Sequence, residues 1–147
     1  MANTVELNFK DLARITGRLD GLNAVEEKIA TKAMQTALLL VQRSAKVKVA
    51  NGHSVTGRLM NSISKRIVAE GTGITGEVYT NVEYAPYLEY GTGTRGQESY
   101  TPPVDTDLTF SEDWVGHPAY PYMRPALEEN KDKIKELFNG TITEAMK

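Results

Sequence analysis

Apolar and polar residues alternate from Thr4 to Phe9, with Val5, Leu7 and Phe9 set against Glu6 and Asn8, the period-two signature of a short half-buried strand. From Asn23 the period lengthens to that of a helix. Val25, Ile29, Ala33, Ala37, Leu40 and Ala45 fall near one face, with Glu26, Glu27, Lys32, Gln35 and Gln42 largely off it. Asn23 and Glu26 have capping-box spacing just after the turn-like Asp20-Gly21, and Asn51-Gly52 is a left-handed stop. The spacing predicts a helix from Asn23 to about Val49, roughly 40 Å long, as the spine of the fold.

Thr56 to Ile63 reads as a helical turn or two, with Thr56 as cap and Leu59 and Ile63 on one side. Ser64 to Glu70 and Gly76 to Val82 are rich in β-branched residues and predict a hairpin joined through Gly71 to Gly76. Between Glu83 and Gly91, Pro86 suits the first turn of a short helix and Gly91 its end. About thirty residues between Thr92 and Pro121, rich in Gly, Pro, Thr and acid, show no sustained period and predict a long loop of the functional kind. A last helix starts near Met123, with acids early (Glu128, Glu129) and lysines later (Lys131, Lys133, Lys135). Its buried stripe is Leu127, Ile134, Leu137, Phe138 and Ile142, with Asn139-Gly140 as a break. The elements add up to an α+β fold: a small antiparallel sheet packed by one long helix in the N-terminal half and a C-terminal helix, with a long acidic loop at about 92–121.

The 147 residues have ordinary globular composition and are enough for one domain, 1–147, whose core needs neither disulfide nor structural metal. The absence of cysteine excludes disulfides, thiolate zinc sites, iron-sulfur clusters and cysteine nucleophiles. The first residues have neither a basic flank nor an apolar core, so a secretory signal is not expected. The longest apolar run, Ala37 to Val41, is far below the roughly eighteen residues of a membrane span. The net charge of −2 hides an asymmetry. Residues 1–75 carry eleven Lys and Arg against six Asp and Glu, a net +5, whereas residues 76–147 carry six against thirteen, a net −7. Such halves suit partners of opposite sign or are simply solvated faces.

Gly91, Gly93 and Gly96 match the G-x-G-x-x-G spacing of a dinucleotide loop, but they follow a predicted helix instead of a strand. The segment after them, with Pro102-Pro103, does not predict the required helix, so they read as a hinge at the mouth of the long loop. Asp105, Asp107, Glu112 and Asp113 are the densest carboxylates, without the glycine or the ligand order of an EF-hand. The two histidines, His53 and His117, lie far apart with no metal or triad spacing, so neither an enzyme nor a bound cofactor is expected. Lys46, Lys48, Arg58, Lys65 and Arg66 form a basic group able to meet phosphates or water. Tyr84, Tyr87, Tyr90, Tyr100, Tyr120 and Tyr122 crowd the second half and read as core or protein-interface anchors.

Three segments in order are more telling than any one of them: Thr56-Gly-Arg-Leu-Met-Asn-Ser-Ile63, Tyr84-Ala-Pro-Tyr-Leu-Glu-Tyr-Gly-Thr-Gly93 and Pro121-Tyr-Met-Arg-Pro-Ala-Leu127. Together with the long helix before them and the terminal helix after them, this order resembles the neck family of tailed bacteriophages, the tail-completion or head-tail joining proteins. The acidic segment Ser99 to Gly116 departs from a shorter family loop.

The resemblance implies a structural virion protein, made in the host bacterial cytoplasm, without catalysis or membrane partner. It would assemble as a homo-oligomeric ring between head portal or adaptor proteins and the tail tube or terminator, with DNA only in transit. It implies an interface built on Arg58, Tyr84, Tyr87, Glu89, Tyr90 and Arg124. Glu98, Asp105, Asp107, Glu112 and Asp113 would face the lumen, where their charge repels DNA, or a neighbouring ring. Gly91, Gly93 and Gly96 would let the loop order on docking. Two alternatives stand beside this reading: a tail-terminator ring that caps the tube, and more distantly a metal-dependent hydrolase using the acidic loop.

Overall fold

The computed structural model describes residues 4–9, 12–18, 24–52, 57–70, 73–99 and 112–145. The fold is α+β. Four strands, β1 (Thr4–Phe9), β2 (Ala13–Arg18), β3 (Ser64–Glu70) and β4 (Gly73–Tyr79), form one antiparallel sheet in the order β1-β2-β4-β3. β1 and β2 pair from Thr4 opposite Arg18 to Phe9 opposite Ala13. β4 is central, setting Gly76 opposite Ile15 of β2 on one side and Ile67 of β3 on the other.

Helix α1 (Ala24–Gly52) crosses one face of this sheet. Its buried stripe is Ala30, Ala33, Met34, Ala37, Leu38, Val41, Ala45 and Val49, the three- and four-residue spacing that puts side chains on one helical face. The contact is close because β4 offers no side chain at Gly76. A Cβ there would stand 2.6 Å from Met34 Sδ and 2.7 Å from Leu38 Cδ1. α2 (Arg58–Ser62) follows α1 and buries Leu59, and Gln42 of α1 donates to the Ile63 carbonyl at 2.9 Å to fix the entry into β3. After β4 come α3 (Ala85–Tyr90), α4 (Gly93–Ser99), α5 (Met123–Glu129) and α6 (Lys131–Ala145). α5 and α6 lie against α1 and reach β2 and β1. Phe138 of α6 comes within 3.6 Å of the Cβ position of Gly17. At the other end Lys48 meets Glu129 at 2.6 Å and Ser44 donates to the same carboxylate at 3.3 Å, joining α1 to α5; the lysine holds the Glu129 carboxyl below the ordinary range.

The structure corrects the sequence-based expectation in four places. β2 had no prediction. The second hairpin strand starts three residues early, at Gly73, because Gly73 and Gly76 are ladder positions paired on both sides. Thr80–Val82 leave the ladder, and Thr80 Oγ1 meets Ser62 Oγ at 2.6 Å. The terminal helix breaks at Asn130, whose side chain caps back onto the Ala126 carbonyl at 2.7 Å, and runs on through Asn139-Gly140. The stretch from Thr92 to Pro121 is not a continuous loop, since it contains α4 and a backbone bridge between Thr92 and His117. Asn23, His53, Thr56, Tyr100, Asp105 and Asp107 lie outside the described residues.

Phe138 is fully buried where α6 meets the sheet. Phe138→Ala is therefore expected to cost about 3–5 kcal/mol in urea unfolding, while Gly140→Ala, at a helix position with open space around it, is expected to stabilise slightly.

Candidate functional site

The chain leaves the helical layer at Gly91 and returns at Tyr122, and one carboxylate holds the two ends together. Glu89, on the last turn of α3, is only 6% exposed. Its Oε2 accepts the backbone N–H groups of Tyr122 and Met123, each at 2.9 Å, and its Oε1 accepts that of Arg124 at 3.1 Å. These are donors that the first turn of α5 cannot satisfy within the helix, so Glu89 caps α5 from a distant part of the sequence. Burial holds its carboxyl above the ordinary glutamate range; the backbone N–H groups of Met123, Tyr122 and Arg124 and the Arg124 charge pull the other way without overcoming it.

Above this capped end the excursion closes on itself. Thr92 N donates to the His117 carbonyl at 2.9 Å and His117 N returns to Thr92 O at 3.1 Å. The first free N–H groups of α4 are taken by carbonyls of the returning strand: Thr94 N by Trp114 at 3.1 Å and Arg95 N by Val115 at 3.0 Å. Tyr120 N donates to the Leu88 carbonyl at 2.8 Å, which seats the return against α3. Backbone meets backbone here, and only glycine fits. A Cβ on Gly116 (φ 66°) would fall 2.0 Å from Thr92 O, and on Gly93 (φ 63°) 2.6 Å from Trp114 O. Gly91 and Gly96 are buried in the same contact. The glycines expected as a hinge thus permit the close approach of backbone to backbone.

This scaffold presents aromatic and apolar side chains to solvent. Trp114 is 56% exposed, Val115, Tyr84, Tyr87 and Tyr120 are also exposed, and the Arg58 guanidinium stands 5.7 Å from the centre of the Tyr84 ring. The carbonyls of Trp114 and Val115 are pinned to α4, so their side chains project from a fixed turn flanked by exposed Glu112 and Asp113. Of the six residues expected at an interface, Arg58, Tyr84 and Tyr87 are on the surface, Arg124 is half-buried, and Glu89 and Tyr90 are turned into the subunit. Glu98 lies on α4. Trp114 and Val115, which the interface reading of the sequence did not name, are exposed as is Tyr120, which it did; a tryptophan beside two acids in a Gly-Pro-rich stretch was the available signal.

A cleft of about 280 Å³ opens beside Glu89, lined also by Thr80, Asn81, Glu83, Pro86 and Tyr122. A carboxyl raised by burial next to a cleft is a recognised mark of acid-base chemistry, and structural networks produce it too. Here both oxygens are already occupied by backbone donors. Among the described residues no three His, Asp or Glu side chains converge on a possible metal position. The G-x-G-x-x-G segment does begin a helix, against expectation, but α3 precedes it where a dinucleotide loop has a strand.

Two outcomes follow from the clasp. Glu89→Gln supplies one acceptor oxygen and one amide nitrogen where three N–H groups need acceptors, so it should cost about 1–3 kcal/mol in denaturant titrations. With its pKa raised in the folded state, wild-type Glu89 contributes a stability that is fully present below the ordinary value of 4.5 and is lost as pH rises through the folded value. The wild-type minus Glu89→Gln difference should therefore shrink as pH rises through that window. Gly116→Ala should open the Thr92–His117 bridge, read as faster amide exchange at both residues.

No curated protein and no solved structure matches the chain. Residues 13–91, from the first residue of β2 to the end of α3, match the family described as "Bacteriophage HK97-gp10, putative tail-component". The match takes in β2, α1, α2, β3, β4 and α3 with its buried Glu89, and stops where the excursion begins. Covering more than half of the 147 residues, it shows that this chain belongs to the HK97-gp10-like family of phage tail components.

Proposed function

We propose that this tail component is a structural subunit of the neck of a tailed phage, forming a homo-oligomeric ring that joins the head portal or adaptor proteins to the tail and surrounds the DNA path. The family match carries the reading. The fixed, solvent-facing Tyr84, Tyr87, Trp114, Val115 and Tyr120 support it, because rigid aromatic side chains at an exposed site are the usual anchors of protein interfaces. The protein works by holding neighbours together and turns over no substrate. Arg58, Tyr84 and Tyr87 then belong to a subunit contact. Glu112 and Asp113 face a neighbouring protein, because the indole beside them would otherwise stand in water on a lumen wall. Glu98, Asp105 and Asp107 belong to the lumen or to a neighbouring ring; in the lumen their charge would keep the duplex from adhering.

Mass spectrometry and immunogold labelling of purified particles are expected to find the protein at the head-proximal end of the tail, and phage lacking it should accumulate separate heads and tails. Its capture by purified tail tubes before any head is present would replace the joining role with that of a terminator. Trp114→Ala should leave unfolding free energy within about 0.5 kcal/mol of wild type while sharply reducing the copies retained in particles.

A further inference from the structure

The sheet has a second face. Ala13, Ile15, Gly76 and Val78 point to the helices, so their neighbours along the strands point away, to the side on which neither α1, α5 nor α6 packs. Across the middle of that outer face Arg14, Glu77 and Arg66 are register partners on β2, β4 and β3. Glu77 Oε2 meets Arg66 Nη2 at 3.3 Å and Arg14 Nη2 at 3.6 Å. Two guanidiniums thus share one carboxylate, and the row retains a net positive charge. The carboxylate is buried, whereas the arginine side chains are 47% and 50% exposed. The Arg66 guanidinium also stands over the Tyr79 ring, 4.3 Å from its centre. A guanidinium held by one aromatic and half open to solvent can take a second aromatic, best of all an indole.

The same chain displays the complementary piece. Glu112 and Asp113 precede Trp114 on the fixed turn that caps α4, an acidic pair beside an exposed indole. We propose that this turn of one subunit docks on the outer sheet face of a second copy, with Trp114 on the Arg66–Tyr79 pair and Glu112 against Arg14. The proposal rests on the ring reading and gives that ring its contact. The turn and the sheet face are different patches of the surface, so the contact is of the heterologous, head-to-tail kind that closes into rings when the rotation permits.

The cysteine-free sequence allows a direct test. Particles are built with Glu112→Cys/Arg14→Cys, which keeps Trp114 and the Arg66–Tyr79 pair, or with either change alone, treated with a short bis-maleimide and run on denaturing gels. A ladder of linked subunits from the double variant and none from the single ones is the expected result. Incorporation of the double variant without a ladder, or dimers from Glu112→Cys alone, would overturn the docking while leaving the virion role intact. Because Arg14→Cys removes a partner of buried Glu77, Glu112→Cys/Ser64→Cys, with Ser64 opposite Tyr79 on the same face, is run in parallel, and failure of both pairs to give a ladder or to enter particles counts against the proposal. Absence of the wild-type protein from particles would instead remove the ring reading itself.

Discussion

The second half of the fold depends on one buried carboxylate. Taking a carboxyl out of water is costly unless its oxygens find donors, and Glu89 finds three on the backbone of residues 122–124. Those donors are the unsatisfied N–H groups at the start of α5, and α5 with α6 packs on α1. One side chain therefore fixes the place where the chain re-enters the core, and with it the register of the C-terminal helices over β1 and β2. The acid is not optional chemistry at this point. An apolar residue of equal size would leave the helix end and the carboxylate's former neighbours without partners.

A second constraint is proximity, met by omission of side chains. Gly76 lets Met34 and Leu38 rest on the sheet, and the alanines of α1 keep that helix near the strands. In the excursion Gly91, Gly93 and Gly116 let two stretches of backbone touch, which lets the carbonyls of residues 114 and 115 reach the N–H groups of α4. Small residues thus hold both layers where larger ones would force them apart. Among the described residues the large exposed apolar side chains are Tyr84, Tyr87, Trp114, Val115 and Tyr120, with Val47 on α1.

Elements with a strong local period were legible in the sequence. α1, β1, α3 with Pro86 and Gly91 at its ends, and the Ile134–Phe138 stripe follow from spacing alone. β2 was not, since Ala13, Ile15 and Gly17 form a weak apolar face whose strand character comes from ladders on both sides. The early start of β4 was hidden for the same reason: glycines at Gly73 and Gly76 look like turn residues until the partners they pair with, and the helix they admit, are known. Glu89 stood in a recognisable segment, yet its role joins residues more than thirty positions apart, and no local pattern contains that information. Trp114 illustrates the converse, a residue inside a seemingly irregular stretch whose fixed position only the caps of α4 reveal.

The Thr92–His117 bridge and the Glu89 clasp each bring together residues twenty-five or more positions apart. Once two points of a chain are pinned, the entropy of closing what lies between them grows only with the logarithm of its length, about 0.6 kcal/mol per doubling. The base therefore acts as a socket: a segment of different length or chemistry can be exchanged there at little energetic cost. A phage lineage meeting a new neighbouring protein could change that one stretch and leave the sheet, the helices and their packing as they are.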